Sequence, residues 1–121
     1  VPNLLDDGHD TNVSYSDAWL RAFLSPLLNS SGFDQTAYFI TYDEGTTLLG
    51  AGPSYVGPTN TSGGGQIYLS MVSPLSLGVG EIHDLASQYS VVTTVEWLLG
   101  LPSTGHHDRD PDWPPIRSAF P

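Results

Sequence analysis

Only two short apolar runs in this chain, residues 36–42 and 66–73, read as buried strands, and that scarcity is its strongest constraint on fold. The first, Tyr38-Phe39-Ile40-Thr41-Tyr42, runs straight into Asp43-Glu44-Gly45; the second, Ile67-Tyr68-Leu69-Ser70-Met71-Val72, is stopped by Pro74. Both look buried on two faces. A helical period surrounds them. Trp19, Leu20, Phe23, Leu24, Leu27 and Leu28 share one face over residues 14–28, with Ser14 or Ser16 as the expected cap and a kink or end at Pro26. A second helix is expected from Ser90, with Val91, Val92, Val95, Leu98 and Leu99 as its apolar face and Gly100 and Pro102 closing it. The order helix, strand, loop, strand, helix predicts an α/β fold: part of a mixed, mostly parallel sheet flanked by helices. Two strands leave open edges and cannot stand alone, so the fold is incomplete in this chain and the rest of the sheet comes from elsewhere.

At 121 residues the chain fits one domain or part of one, and a start at Val1 suits a processed product or a piece of something longer. We read residues 1–121 as the C-terminal portion of a single domain. Within it, residues 45–65 are rich in Gly, Pro, Ser and Thr without a period and read as a long loop insertion. Residues 103–121, which include Asp108-Arg109-Asp110-Pro111-Asp112-Trp113-Pro114-Pro115, read as an extended, irregular tail. No internal repeat is visible.

Thirteen acids against three Lys and Arg give a formal charge of −10, a field that repels nucleic-acid phosphates and anionic lipid. Nucleic acid is thus excluded as a broad partner. An anionic phosphate substrate would be repelled too unless a cation sat in the site. No apolar run is long enough to span a bilayer as a helix. With no cysteine, neither a disulfide nor a thiolate metal site is available. Asn12-Val13-Ser14, Asn29-Ser30-Ser31 and Asn60-Thr61-Ser62 match the N-glycosylation acceptor pattern, which favours a secreted, glycosylated protein.

Asp43 and Glu44 are neighbours, so in a continuing strand they would point to opposite faces; if the chain turns after Tyr42, both can converge on one cation. Hard oxygen donors of this kind suit Mg, Ca, Mn or a carboxylate-tolerant Fe or Zn site. The alternative is a solvated turn at a strand end. His9 lies in Asp6-Asp7-Gly8-His9-Asp10, where the acids favour its protonated form, and an imidazolium could hold a phosphoryl oxygen or protonate a leaving group. Its alternative is an Asx-turn with a surface histidine. His106 and His107 sit in the polar tail as surface residues, and His83 lies in the connection before the last helix. Ser62-Gly63-Gly64-Gly65 precedes a strand, the wrong order for a phosphate-cradling helix start, and no serine stands in a nucleophile elbow.

Five elements in order, Asp7-Gly8-His9-Asp10, a helix ending Pro26-Leu27-Leu28, Phe39 to Glu44, Met71-Val72-Ser73-Pro74, and Tyr89 to Glu96 followed by Gly100-Leu101-Pro102, resemble the C-terminal part of the phosphoesterase family. That family includes secreted acid phosphatases and bacterial-type phospholipases C and belongs to the alkaline phosphatase superfamily. The resemblance covers nearly the whole chain. It implies an alkaline-phosphatase-like fold, a phosphate ester substrate, a divalent metal ion with Asp43 and Glu44 among its ligands, and His9 at the phosphate site. It also implies a Glu-Asn metal-binding pair and a Ser or Thr nucleophile in an N-terminal portion, or on another chain, and no residue here matches them. One departure stands out. Family members commonly carry His before Tyr-Ser at the start of the last helix, where this chain has Gln88, which is neither a proton donor near neutral pH nor a good metal ligand. The expected function is therefore metal-dependent phosphoric ester hydrolysis completed by residues outside this chain; the alternative is a non-catalytic extracellular binding or assembly module on the same fold.

Overall fold

A computed structural model describes residues 2–43, 67–78, 80–84 and 86–121, which divide into two compact units, Val1–Thr36 and Ala37–Pro121. The 45–65 insertion, with its Asn60 acceptor, lies outside the described residues.

In the first unit a loop of side-chain-braced turns leads into helix α1, Val13–Leu28. Asn12 caps it, rather than Ser14 or Ser16: its backbone is extended and its carboxamide oxygen accepts from Tyr15 N–H at 3.0 Å. The helix runs two residues past Pro26. Proline removes the bond that would satisfy the Ala22 carbonyl, and the end is closed instead by Asn29, whose Nδ2 donates to the Ser25 carbonyl at 2.7 Å. Trp19 and Phe23, one turn apart, stack with ring centroids 5.1 Å apart. No residue of α1 is fully buried, so its apolar stripe is only partly covered. A short 3-10 turn, Phe33–Gln35, ends the unit.

The second unit is built on β1, Tyr38–Thr41, and β2, Leu69–Val72. They pair antiparallel, with Tyr38 opposite Val72 and Thr41 opposite Leu69, as a two-stranded sheet. The expected mostly parallel arrangement is therefore not seen among the described residues, and what stands is a small α/β assembly of two helices and an antiparallel pair. Both strands are half-buried rather than buried on two faces, and unbroken apolar runs are silent about strand direction. Register places Phe39, Leu69 and Met71 on one face.

That face is covered by the C-terminal segment. Ile116, Ala119 and Phe120 are buried and pack on Phe39, Leu69 and Met71; with Trp113 they are the buried apolar residues of the described chain. The irregular run 103–121, closed by a 3-10 turn at Arg117–Ala119, thus supplies the core. Each such side chain taken from water contributes about 1.5–3 kcal/mol.

Helix α2, Gln88–Leu99, begins two residues before Ser90 because Ser87 and Ser90 form a reciprocal capping box. Gly100 at φ +63 ends it, with Gly100 N–H donating to the Trp97 carbonyl and Leu101 N–H to that of Glu96, the two bonds of a Schellman stop. The face it buries differs from the expected one. Ser90, Thr94 and Glu96 are buried, while Val92, Val95, Leu98 and Leu99 are exposed. The cause is the polarity of what α2 meets: Thr94 Oγ1 accepts the Ile116 N–H at 2.9 Å, and Thr93 Oγ1 donates to the Asp108 carbonyl at 2.6 Å. A helix that must satisfy backbone groups of an irregular strap turns its hydroxyls toward it. Among the described residues no helix is long and apolar enough to cross a membrane.

Candidate active site

Asp43 sits exposed just past the end of β1, and Glu44 lies outside the described residues. The strand end is held from an unexpected quarter. Gln88, the first residue of α2, donates its Nε2 to the Tyr42 carbonyl at 3.2 Å and also to the Asp43 carbonyl. The helix start is itself fixed, because Ser87 Oγ accepts from Tyr89 N–H at 3.2 Å and Ser90 Oγ accepts from Ser87 N–H at 3.2 Å. A rigid helix end thus reaches the backbone that carries the acid.

His9 belongs to the first unit and has both features weighed from its sequence. It lies in an Asx-turn, its N–H donating to Asp7 Oδ1 at 2.9 Å, and its side chain is largely exposed. Its Nδ1 also lies 2.8 Å from Asp10 Oδ1. A carboxylate can only accept, so the ring donates through Nδ1. The turn is anchored by Asp10 N–H donating to the Leu4 carbonyl at 2.9 Å and by Gly8, whose φ of +93 suits glycine.

The remaining histidines build no such arrangement. His83 is 4.0 Å from Glu81 with both side chains almost fully exposed, His106 is exposed, and His107 meets Tyr89 edge-on. No group of three or more His, Asp or Glu side chains suited to a metal ion occurs among the described residues. With Asp43 as the strand-end carboxylate among them, the described residues alone do not form a complete cation site.

A second acid cluster was not legible in the sequence. Asp108, 1% exposed, accepts from Ser103 Oγ at 2.7 Å, from Thr104 Oγ1 at 2.6 Å and from Thr104 N–H. These bonds hold its carboxyl well below the usual carboxylate range. Glu96 shares the Thr104 N–H at 3.2 Å, and its hydrogen bond to Asp108, reinforced by burial, pushes its carboxyl up. Two carboxyls that meet this way titrate as a coupled pair, Glu96 pushed up and Asp108 held down. Asp108 stands in a charged, proline-rich run that reads as solvated, and Glu96 interrupts no period, so neither announces the pair. The pair borders a cleft of about 550 Å³ also lined by Trp97, Arg109, Trp113 and Arg117, in which the Arg117 guanidinium lies 5.0 Å from the Trp97 ring centre.

The phosphoesterase family model matches residues 1–102, so this chain belongs to the phosphoesterase family. Among curated proteins it is 31% identical to an acid phosphatase of Aspergillus fumigatus, over 89% of this chain and 22% of that protein. It is 33% identical to a probable acid phosphatase of Kluyveromyces lactis, over 91% of this chain and 24% of the relative. To a phosphatidylinositol-3-phosphatase of Mycobacterium tuberculosis it is 30% identical, over 92% and 32% respectively. The chain thus spans between about a fifth and a third of the length of these relatives. No solved structure gives a significant match.

Proposed function

We propose that this chain is the C-terminal portion of a secreted phosphoric ester hydrolase, of the acid phosphatase or phospholipase C kind, whose N-terminal portion supplies the Ser or Thr nucleophile. The observation that carries this reading is the family match over residues 1–102 together with relatives named as phosphatases. The exposed apolar residues of α2, Val92, Val95, Leu98 and Leu99, and the two-stranded sheet support the further reading that the rest of the domain packs here, in an alkaline-phosphatase-like architecture.

By the family resemblance His9 serves the phosphate site, its protonated ring donating to the phosphoryl or the leaving oxygen. Asp10 orients the ring, and the same carboxylate stabilises the imidazolium that donates. Asp43 and Glu44 are the residues that would hold a divalent cation, with further donors from outside this chain. Such an ion, when bound, neutralises phosphate charge that a protein of net charge −10 would otherwise repel. Glycans on Asn12 and Asn29 fit exposed positions at the two ends of α1.

Phosphate release from a panel of phosphomonoesters and a phosphodiester lipid by the full-length protein tests the proposal. The expected result is turnover that falls in His9→Ala and Glu44→Gln; turnover undiminished by either overturns the site. A non-catalytic extracellular module is the second reading, favoured by Gln88 standing where the family resemblance implies histidine. Calorimetric titration with a divalent cation separates the two, since a binding module shows no tight stoichiometric site that Asp43→Asn removes.

A further inference from the structure

We infer that Gln88 is a positioning residue for the acid-bearing strand end: it fastens the start of α2 to the backbone of Tyr42 and Asp43, and so sets where the Asp43 carboxylate points. The inference rests on the functional reading of Asp43 given above.

The geometry asks for a carboxamide at this position. Both acceptors are backbone carbonyls at the point where β1 ends, and a single Nε2 carries two hydrogens, one for each. The described ladder with β2 runs to Thr41, whose Oγ1 also donates to the Tyr42 carbonyl at 3.2 Å. A strand end released from its ladder has soft φ and ψ, and a few tens of degrees there swing a carboxylate by ångströms. Gln88 adds a constraint from α2. It draws rigidity from the Ser87–Ser90 capping box behind it, and from α2, whose Thr93 and Thr94 are bonded to the C-terminal strap. The contact spans 45 and 46 residues of sequence, so it ties the two ends of the second unit's α/β core together. Gln88 itself is exposed, which means its loss opens no cavity.

Exposure at the first turn of a helix also makes the test clean. Gln88→Met removes both donors without adding charge. Gln88→Glu keeps the shape but can only accept, and a carboxylate at a helix N-terminus favours the helix, so any loss it causes does not come from melting α2. In the full-length protein, hydrogen exchange is followed by mass spectrometry over residues 41–43 and over α2, beside steady-state turnover. Both variants are expected to speed exchange at 41–43, leave α2 unchanged, and lower kcat by roughly 10–100-fold, the usual effect of losing a group that orients a ligand residue. Unchanged exchange at 41–43 in Gln88→Met overturns the clamp. Faster exchange with wild-type turnover, while Asp43→Asn is inactive, overturns its positioning role. If instead Asp43→Asn turns over like wild type, the clamp stands on the exchange data and the catalytic assignment of Asp43 is what fails.

Discussion

A methyl group at position 8 would sit 2.8 Å from Ser16 Oγ, on a backbone whose φ of +93 is already costly for any residue with a Cβ. Gly8 is thereby the pin that lets the His9 turn lie against α1. Gly8→Ala is expected to cost about 1–3 kcal/mol locally, read as loss of exchange protection through residues 7–11. The Asn12 cap makes a smaller contribution of the same kind. Asn12→Ala should destabilise the α1 N-terminus by about 1 kcal/mol, whereas Asn12→Asp, which keeps the acceptor and abolishes the glycan site, should not; a chemical denaturation series on the full-length protein checks both.

Between elements, Glu96 and Asp108 both accept from the Thr104 N–H and so tie the 103–108 turn to α2. Glu96 has its carboxyl raised above its ordinary 4.5, so the stabilisation it gives is fully present below that value and is lost as pH rises through the raised one. Asp108 has its carboxyl lowered from 3.8, so its contribution is present above that value and is lost only as pH falls through the lowered one. The two windows overlap in mild acid, and the turn should be most firmly held there. Toward neutral pH an ionised Glu96 faces ionised Asp108, with Arg109 opposing the effect and Asp110 and Arg117 lining the same cleft. Protection factors at residues 103–108, which remove the intrinsic pH dependence of amide exchange, should fall from mild acid to neutral pH in the wild type, while Glu96→Gln, which is permanently neutral, should flatten that fall. An equal fall in both proteins would remove Glu96 as its cause.

Across the whole molecule, the feature with the widest consequence is that residues 103–121, beyond the family match, carry the core of the second unit. Phe120→Ala removes a nearly buried ring packed on the β1–β2 face and should cost about 3–5 kcal/mol. Thermal unfolding of the full-length variant measures it, and a near-neutral result would mean the strap is ornamental.

Helix limits were largely legible because periodicity and the stop at Gly100 are local signals, whereas the caps at Asn12 and Ser87 lay outside the expected positions. Which face of α2 is buried was not, because an apolar stripe shows which side can be covered and says nothing of what is present to cover it. Strand direction was hidden for a related reason, since Phe39 and Met71 are apolar whichever way their strands run. The core residues Trp113, Ile116 and Phe120 stand among prolines and charges with no period to betray them. The Gln88 contact is hidden by distance along the chain. His9 and Asp43, by contrast, were visible as motifs, because Gly8 and the strand end mark them locally.

The central claim is that the end of β1 is part of a phosphoesterase site. Its most direct test is kcat/KM for phosphomonoester hydrolysis at mildly acid pH by the full-length protein, wild type beside Asp43→Asn. The account predicts a fall of about 100-fold or more with the fold intact by circular dichroism. An Asp43→Asn protein that hydrolyses the ester as fast as wild type would contradict it.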